Sequence, residues 1–121
     1  MQWYREELEP EYQAVADSLE VSHSAVQFVR DLVFAALYYH EDGPRPVEDY
    51  RRDCNASDVC HAAPLLASDL FEEHASDFML DVGLRTGADL GRIVYALVDA
   101  GLLLADENDR REQFSADIKL V

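Results

Sequence analysis

The sequence predicts a mainly α fold, a helical bundle whose C-terminal half has the element order of a winged helix and ends in a small β-hairpin. Three observations predict it. Apolar residues recur at three- and four-residue spacing along most of the chain. Glycine and proline punctuate the ends of those runs. The last stretch, "LLLADENDRREQFSADIKLV", drops helical spacing for two short β-prone pieces around a polar turn at 106–110. No Asn-Gly or Asp-Gly pair fixes that turn, so a plain bundle with an irregular tail is the alternative. At 121 residues one domain is expected, with an N-terminal helical arm (1–21), a helical core (22–104) and a wing or tail (105–121).

Glu9 followed by Pro10 opens the first helix, where proline's missing N–H is not needed. Leu8, Tyr12, Val15 and Leu19 then form a narrow apolar stripe, which could pack on the same chain or on a second copy. Ser22 is placed to cap the next helix, "HSAVQFVRDLVFAALYYH". Ala25, Phe28, Val29, Leu32, Val33, Ala36 and Leu37 give it a wide apolar face, and Val26, Phe34 and Tyr38 lie outside that face. A helix apolar on most sides belongs at the centre of a core. "EDGPRP" ends it, and a charged connection from 44 to 54 follows.

Asn55 and Asp58 resemble a capping box for the third helix. Pro64 lies inside that helix and predicts a kink or a split between residues 60 and 64. Its expected apolar face is Val59, Ala62 or Ala63, Leu66, Leu70 and Phe71. Ser76 is read as the cap of a short helix closed by Gly83. Thr86 with Asp89 makes a second capping box, Leu90, Ile93, Val94, Leu97 and Val98 form the face behind it, and Gly101 stops the helix. Gly91 sits inside that helix, where glycine costs about 1 kcal/mol relative to alanine. Close packing of another element against its backbone is the expected reason.

Charge narrows the function. Asp and Glu number 25 against 10 Lys and Arg, for a formal net charge of −15, and Lys119 is the only lysine. An acidic surface suits a salty cytoplasm, and a genome that prefers Arg codons produces the same bias. Either way, such a field disfavours nucleic acid and anionic lipid. A DNA reader would lay the helix 87–100 in the major groove through Ala88, Arg92, Tyr95 and Asp99, with Arg85 just before. Asp89 and Asp99 carry the wrong sign there, and few arginines are available for phosphate. No run of about 18 apolar residues marks a membrane span. The start, "MQWYREELEPEY", lacks the basic and apolar regions of a signal peptide, so the cytoplasm is the expected location.

Chemical sites are few. Cys54, Cys60 and His61 form a C-x5-C-H cluster, with His40 and His74 elsewhere in the chain, but structural zinc sites use two close ligand pairs. Cys60 reads better as a small buried hydrophobe. Ser22, His23 and Ser24 occupy a helix start and read as caps. No glycine-rich phosphate loop, G-x-S-x-G or H-E-x-x-H occurs, and no catalytic residue or cofactor is expected. Aromatics flanked by acids point instead to protein contacts. The expected interaction surface is Trp3, Tyr4, Arg85, Arg92 and Tyr95, for an unidentified protein partner or a homodimer formed through the first helix.

The segments "DLGRIVYALVDAGLL" (89–103) and "DRREQF" (109–114), with the helix 58–71 followed by "DVGLRT", resemble a small family of uncharacterised bacterial proteins known mainly from planctomycetes and verrucomicrobia. The resemblance covers roughly residues 25 to 118; Glu72 and Val82 stand where the family would carry a glycine and an aromatic. It implies an intracellular bacterial domain and no particular activity, cofactor or catalytic residue.

Overall fold

A computed structural model of the chain describes residues 3–4, 7–36, 56–103 and 113–121. Among these the protein is mainly helical: α1 (Pro10–Leu19), α2 (His23–Ala35), α3 (Ala56–Phe71), α4 (Ala75–Asp81) and α5 (Gly87–Asp99). Helix α2 packs against α1, α3 and α5, and α3 carries α4. As its all-round apolarity predicts, α2 is central: Ala25, Val26, Phe28, Val29 and Leu32 are fully buried. Phe34, on the remaining side, is 75% exposed.

Local chemistry explains most boundaries. Pro10 stands at the first position of α1. The Ser22 hydroxyl accepts the Ser24 and Ala25 amides at the start of α2, at 3.1 and 3.4 Å. Helix α5 carries the expected capping box. Three helices end alike. After α1, the Val21 and Glu20 amides donate back to the Ala16 and Asp17 carbonyls. After α4, Leu84 and Gly83 donate to Met79 and Leu80; after α5, Leu102 and Gly101 donate to Leu97 and Val98. This paired closure needs a left-handed residue. Gly83 (φ 78°) and Gly101 (φ 76°) supply it without strain, and Glu20 (φ 56°) adopts it despite its side chain.

Three expectations are corrected. Of the kink or split expected between residues 60 and 64, the split does not occur: helix α3 runs unbroken to Phe71, with Pro64 on the solvent side. Leu70, expected in its apolar face, is 46% exposed, whereas Cys60 and Ala67 are buried. Ser76 is not a cap: a 3-10 turn, Glu72–His74, leads into α4, which begins at Ala75 without a side-chain cap. The C-terminal β-hairpin gains no support. Its turn at 106–110 lies outside the described residues, as does the Asn55 cap. The described part of the tail, 113–121, forms no strand, only an isolated antiparallel bridge between Thr86 and Lys119. The reason is where its hydrogen bonds go. The Gly87 amide donates to the Ile118 carbonyl at 2.8 Å, and the Leu120 amide donates to the Arg85 carbonyl at 2.9 Å. The tail thus pairs with the turn before α5, and the winged-helix architecture gains no support from it.

Candidate functional site

The expected interaction residues divide between two places. Trp3 and Tyr4 turn inward. The Trp3 ring meets Phe71 and Phe78 edge-on, at centroid distances of 5.1 and 5.3 Å, and Tyr4 packs on the same pair. Phe71 stacks on Phe78 at 4.3 Å, and Phe28 closes the cluster from α2. The Trp3 indole N–H donates to an Asp81 carboxylate oxygen at 2.6 Å. The Tyr4 hydroxyl is buried with no hydrogen-bond partner among the described residues. That burial, and secondarily the nearby Asp31 carboxylate, push its pKa well above the ordinary phenol value. These aromatics fasten the N-terminal segment to α2, α3 and α4.

Arg85, Arg92 and Tyr95 lie at or near α5. Arg85 is exposed in the turn that precedes it. Arg92 reaches across to α1, where its guanidinium donates to the Leu19 carbonyl at 2.8 Å. A cation there satisfies a terminal carbonyl and complements the negative end of the helix dipole. Tyr95 is half-buried and meets Phe114 edge-on at 6.0 Å. Beside Arg92, a cleft of about 600 Å³ runs between α1 and α5. Small side chains, Ala14, Ser18, Ala96 and Ala100, line it, and Glu11 and Asp99 add negative charge.

Phe114 explains Gly91. A β-carbon at Gly91 would lie 2.4 Å from the Phe114 β-carbon and 2.7 Å from Cγ. The expected close approach is there, made by the tail. Gly87 is closed off by backbone: a β-carbon would meet the Ser115 carbonyl oxygen at 2.7 Å and the Cys60 Sγ at 3.3 Å. Cys60 is therefore a packed core residue, and burial raises its thiol pKa from 9.0 to about 11. His61 points to solvent on the next face of α3. Cys54 and His40 lie outside the described residues. Among the described residues no group of three potential ligands gathers to hold a metal ion.

A second cleft, of about 540 Å³, lies between the N-terminal segment, α1 and the start of α2. Tyr4, Glu7, Gln13, His23 and Ser24 line it. His23 leans on the Asp17 carboxylate at 3.3 Å, and the Ser22 hydroxyl caps α2 by accepting the Ser24 and Ala25 amides. No helix among the described residues is long and apolar enough to cross a membrane. Comparison with known proteins finds no matching family model, no matching curated protein and no matching solved structure.

Proposed function

We propose that the chain is a non-enzymatic, acidic protein-interaction module whose partner docks where α1 and α5 meet and presents cationic side chains there. The observation that carries this reading is the cleft between those helices, floored by small residues, with Glu11 and Asp99 alongside and Arg92 drawn back onto the Leu19 carbonyl. In a chain of net charge −15, a positive partner gains both steering and register. A second copy would set two such charges against each other, and Trp3 and Tyr4, the aromatics expected to serve a homodimer, pack into their own core. The reading therefore takes a different protein as partner. It includes a cytoplasmic setting and kinship with the bacterial family that residues 89–103 resemble.

The alternative is a DNA-associated regulator built on α4, the Gly83 turn and α5 in a helix-turn-helix-like arrangement, with Arg85 exposed beside the first turn of α5. Against it, the tail lies over Gly87 and Gly91, and the Gly87 amide, one of the donors a phosphate would want, is already bonded to Ile118.

The test is affinity capture from the native host, followed by cross-linking of the purified pair. Cross-links should map to α1 and α5, and Glu11→Lys with Asp99→Lys should abolish binding. A partner that binds those variants unchanged would refute the site. Tight, salt-sensitive binding of a duplex in fluorescence anisotropy would replace the reading with the alternative.

A further inference from the structure

We infer that residues 113–121 form a strap over α5 that opens as a unit while the helical core stays folded, and that its opening uncovers Cys60 and the first turn of α5. The strap has no regular structure of its own. Phe114 and Leu120 are its buried anchors, and Ile118 is half-buried between them. Among the described residues, two backbone hydrogen bonds tie it down, from Gly87 to Ile118 and from Leu120 to Arg85. Both backbone bonds, the approach of Ser115 and Ile118 to Gly87 and the contacts of Phe114 with Gly91 and Tyr95 fall on the stretch from Arg85 to Tyr95. The core is held differently: α2 is packed on α1, α3 and α5 together. An irregular segment with two anchors and two ladder bonds is the kind of unit that opens below the global unfolding free energy.

What lies beneath gives the opening a readout. Gly87 is the meeting point of three elements, with Ser115 and Ile118 of the strap on one side and the Cys60 sulfur of α3 on the other. The missing side chain at Gly87 lets the strap reach the helix backbone. Lifting the strap removes the Ser115 and Ile118 atoms from that point, frees the Gly87 amide and opens a path to the Cys60 sulfur.

The test uses the full chain with Cys54→Ser, which leaves Cys60 as its only thiol. Amide exchange followed residue by residue should show Gly87 and Leu120 exchanging together, at least about tenfold faster than the interior amides of α2. Maleimide labelling of Cys60 should report the same opening equilibrium. Phe114→Ala removes one anchor and should speed both the Gly87 exchange and the Cys60 labelling by about ten- to a hundredfold, with the α2 amides unchanged. Exchange of Gly87 and labelling of Cys60 at the rate of the α2 interior would overturn the inference. So would a Phe114→Ala variant in which every protected amide speeds up by one common factor.

Discussion

Gly91→Ala is the substitution whose sign is most informative. In an isolated helix alanine is better than glycine by about 1 kcal/mol. Here the new methyl would stand 2.4 Å from the Phe114 β-carbon, closer than any side chain tolerates. Phe114 must give way. Losing most of its burial forfeits roughly 1.5–3 kcal/mol. Losing the edge-on contact with Tyr95 forfeits about 0.5–1.5 kcal/mol more. The helical gain offsets part of that, so the variant should be less stable by about 1–3 kcal/mol. For a chain of 121 residues that is a fall in Tm of about 4–12 °C. Thermal unfolding followed by circular dichroism measures it, with the fluorescence of the single tryptophan, Trp3, as a second probe on the opposite attachment. The decisive comparison is the same change in a Phe114→Gly background, which removes the β-carbon as well as the ring. There Gly91→Ala should turn stabilising, by up to about 1 kcal/mol. A Gly91→Ala variant that raises Tm in the otherwise unaltered chain, or a sign that does not reverse, would refute the placement of the tail on α5.

The two halves of the α5 capping box should not be equal. Asp89 accepts the Arg85 and Thr86 amides at 3.1 Å each, whereas the Thr86 hydroxyl accepts the Asp89 amide at 3.5 Å. Asp89→Ala should therefore cost roughly 1.5–3 kcal/mol in chemical denaturation, Thr86→Ala only about 1 kcal/mol, and equal losses would contradict the geometry. Glu20→Gly and Glu72→Gly should each stabilise by about 0.5–1 kcal/mol, because both glutamates hold left-handed backbone, at φ 56° and 52°; a lowered Tm in either would count against that conformation. Alkaline stability follows from Cys60. Its thiol is raised from 9.0 to about 11 in the folded chain, so the unfolded thiol ionises first and stability is lost as pH rises from about 9 to 11. Tyr4 is raised too and acts in the same direction at higher pH. Denaturation curves should be level below pH 8 and fall above 9, and Cys60→Ala should flatten the first part of that fall while leaving the Tyr4 part.

What the sequence makes legible here is whatever is written within one or two helical turns. Ser22, Thr86 with Asp89, Pro10, Gly83 and Gly101 act on backbone groups a few residues away, and each does what its spacing predicts. The break at Glu72 was hidden for the same reason. A glutamate held in left-handed backbone, φ 52° at Glu72, carries no sequence signal. Long-range partners were not legible at all. Gly91 announces that something approaches, but not that it is Phe114, and nothing near Arg92 names the Leu19 carbonyl, 73 residues earlier in the chain, as its acceptor.

The tail shows why one apolar pattern supports two readings. Phe114, Ile118 and Leu120 are residues that favour strands, and the same residues serve as anchors for an irregular segment laid on a helix. What separates the readings is the partner that accepts the backbone hydrogen bonds. A hairpin would use its own first strand; here the described tail uses Arg85 and Gly87. That choice bears on function as well as fold. A wing that leaves the first turn of α5 open leaves a positive helix end for a polyanion, whereas a tail bonded to that turn takes up its donor. The electrostatic case against DNA, drawn from a net charge of −15, and the steric case, drawn from Phe114 over Gly91, are independent of each other. Both favour the proposed reading, in which a protein partner docks at the α1–α5 cleft, over the DNA-associated alternative.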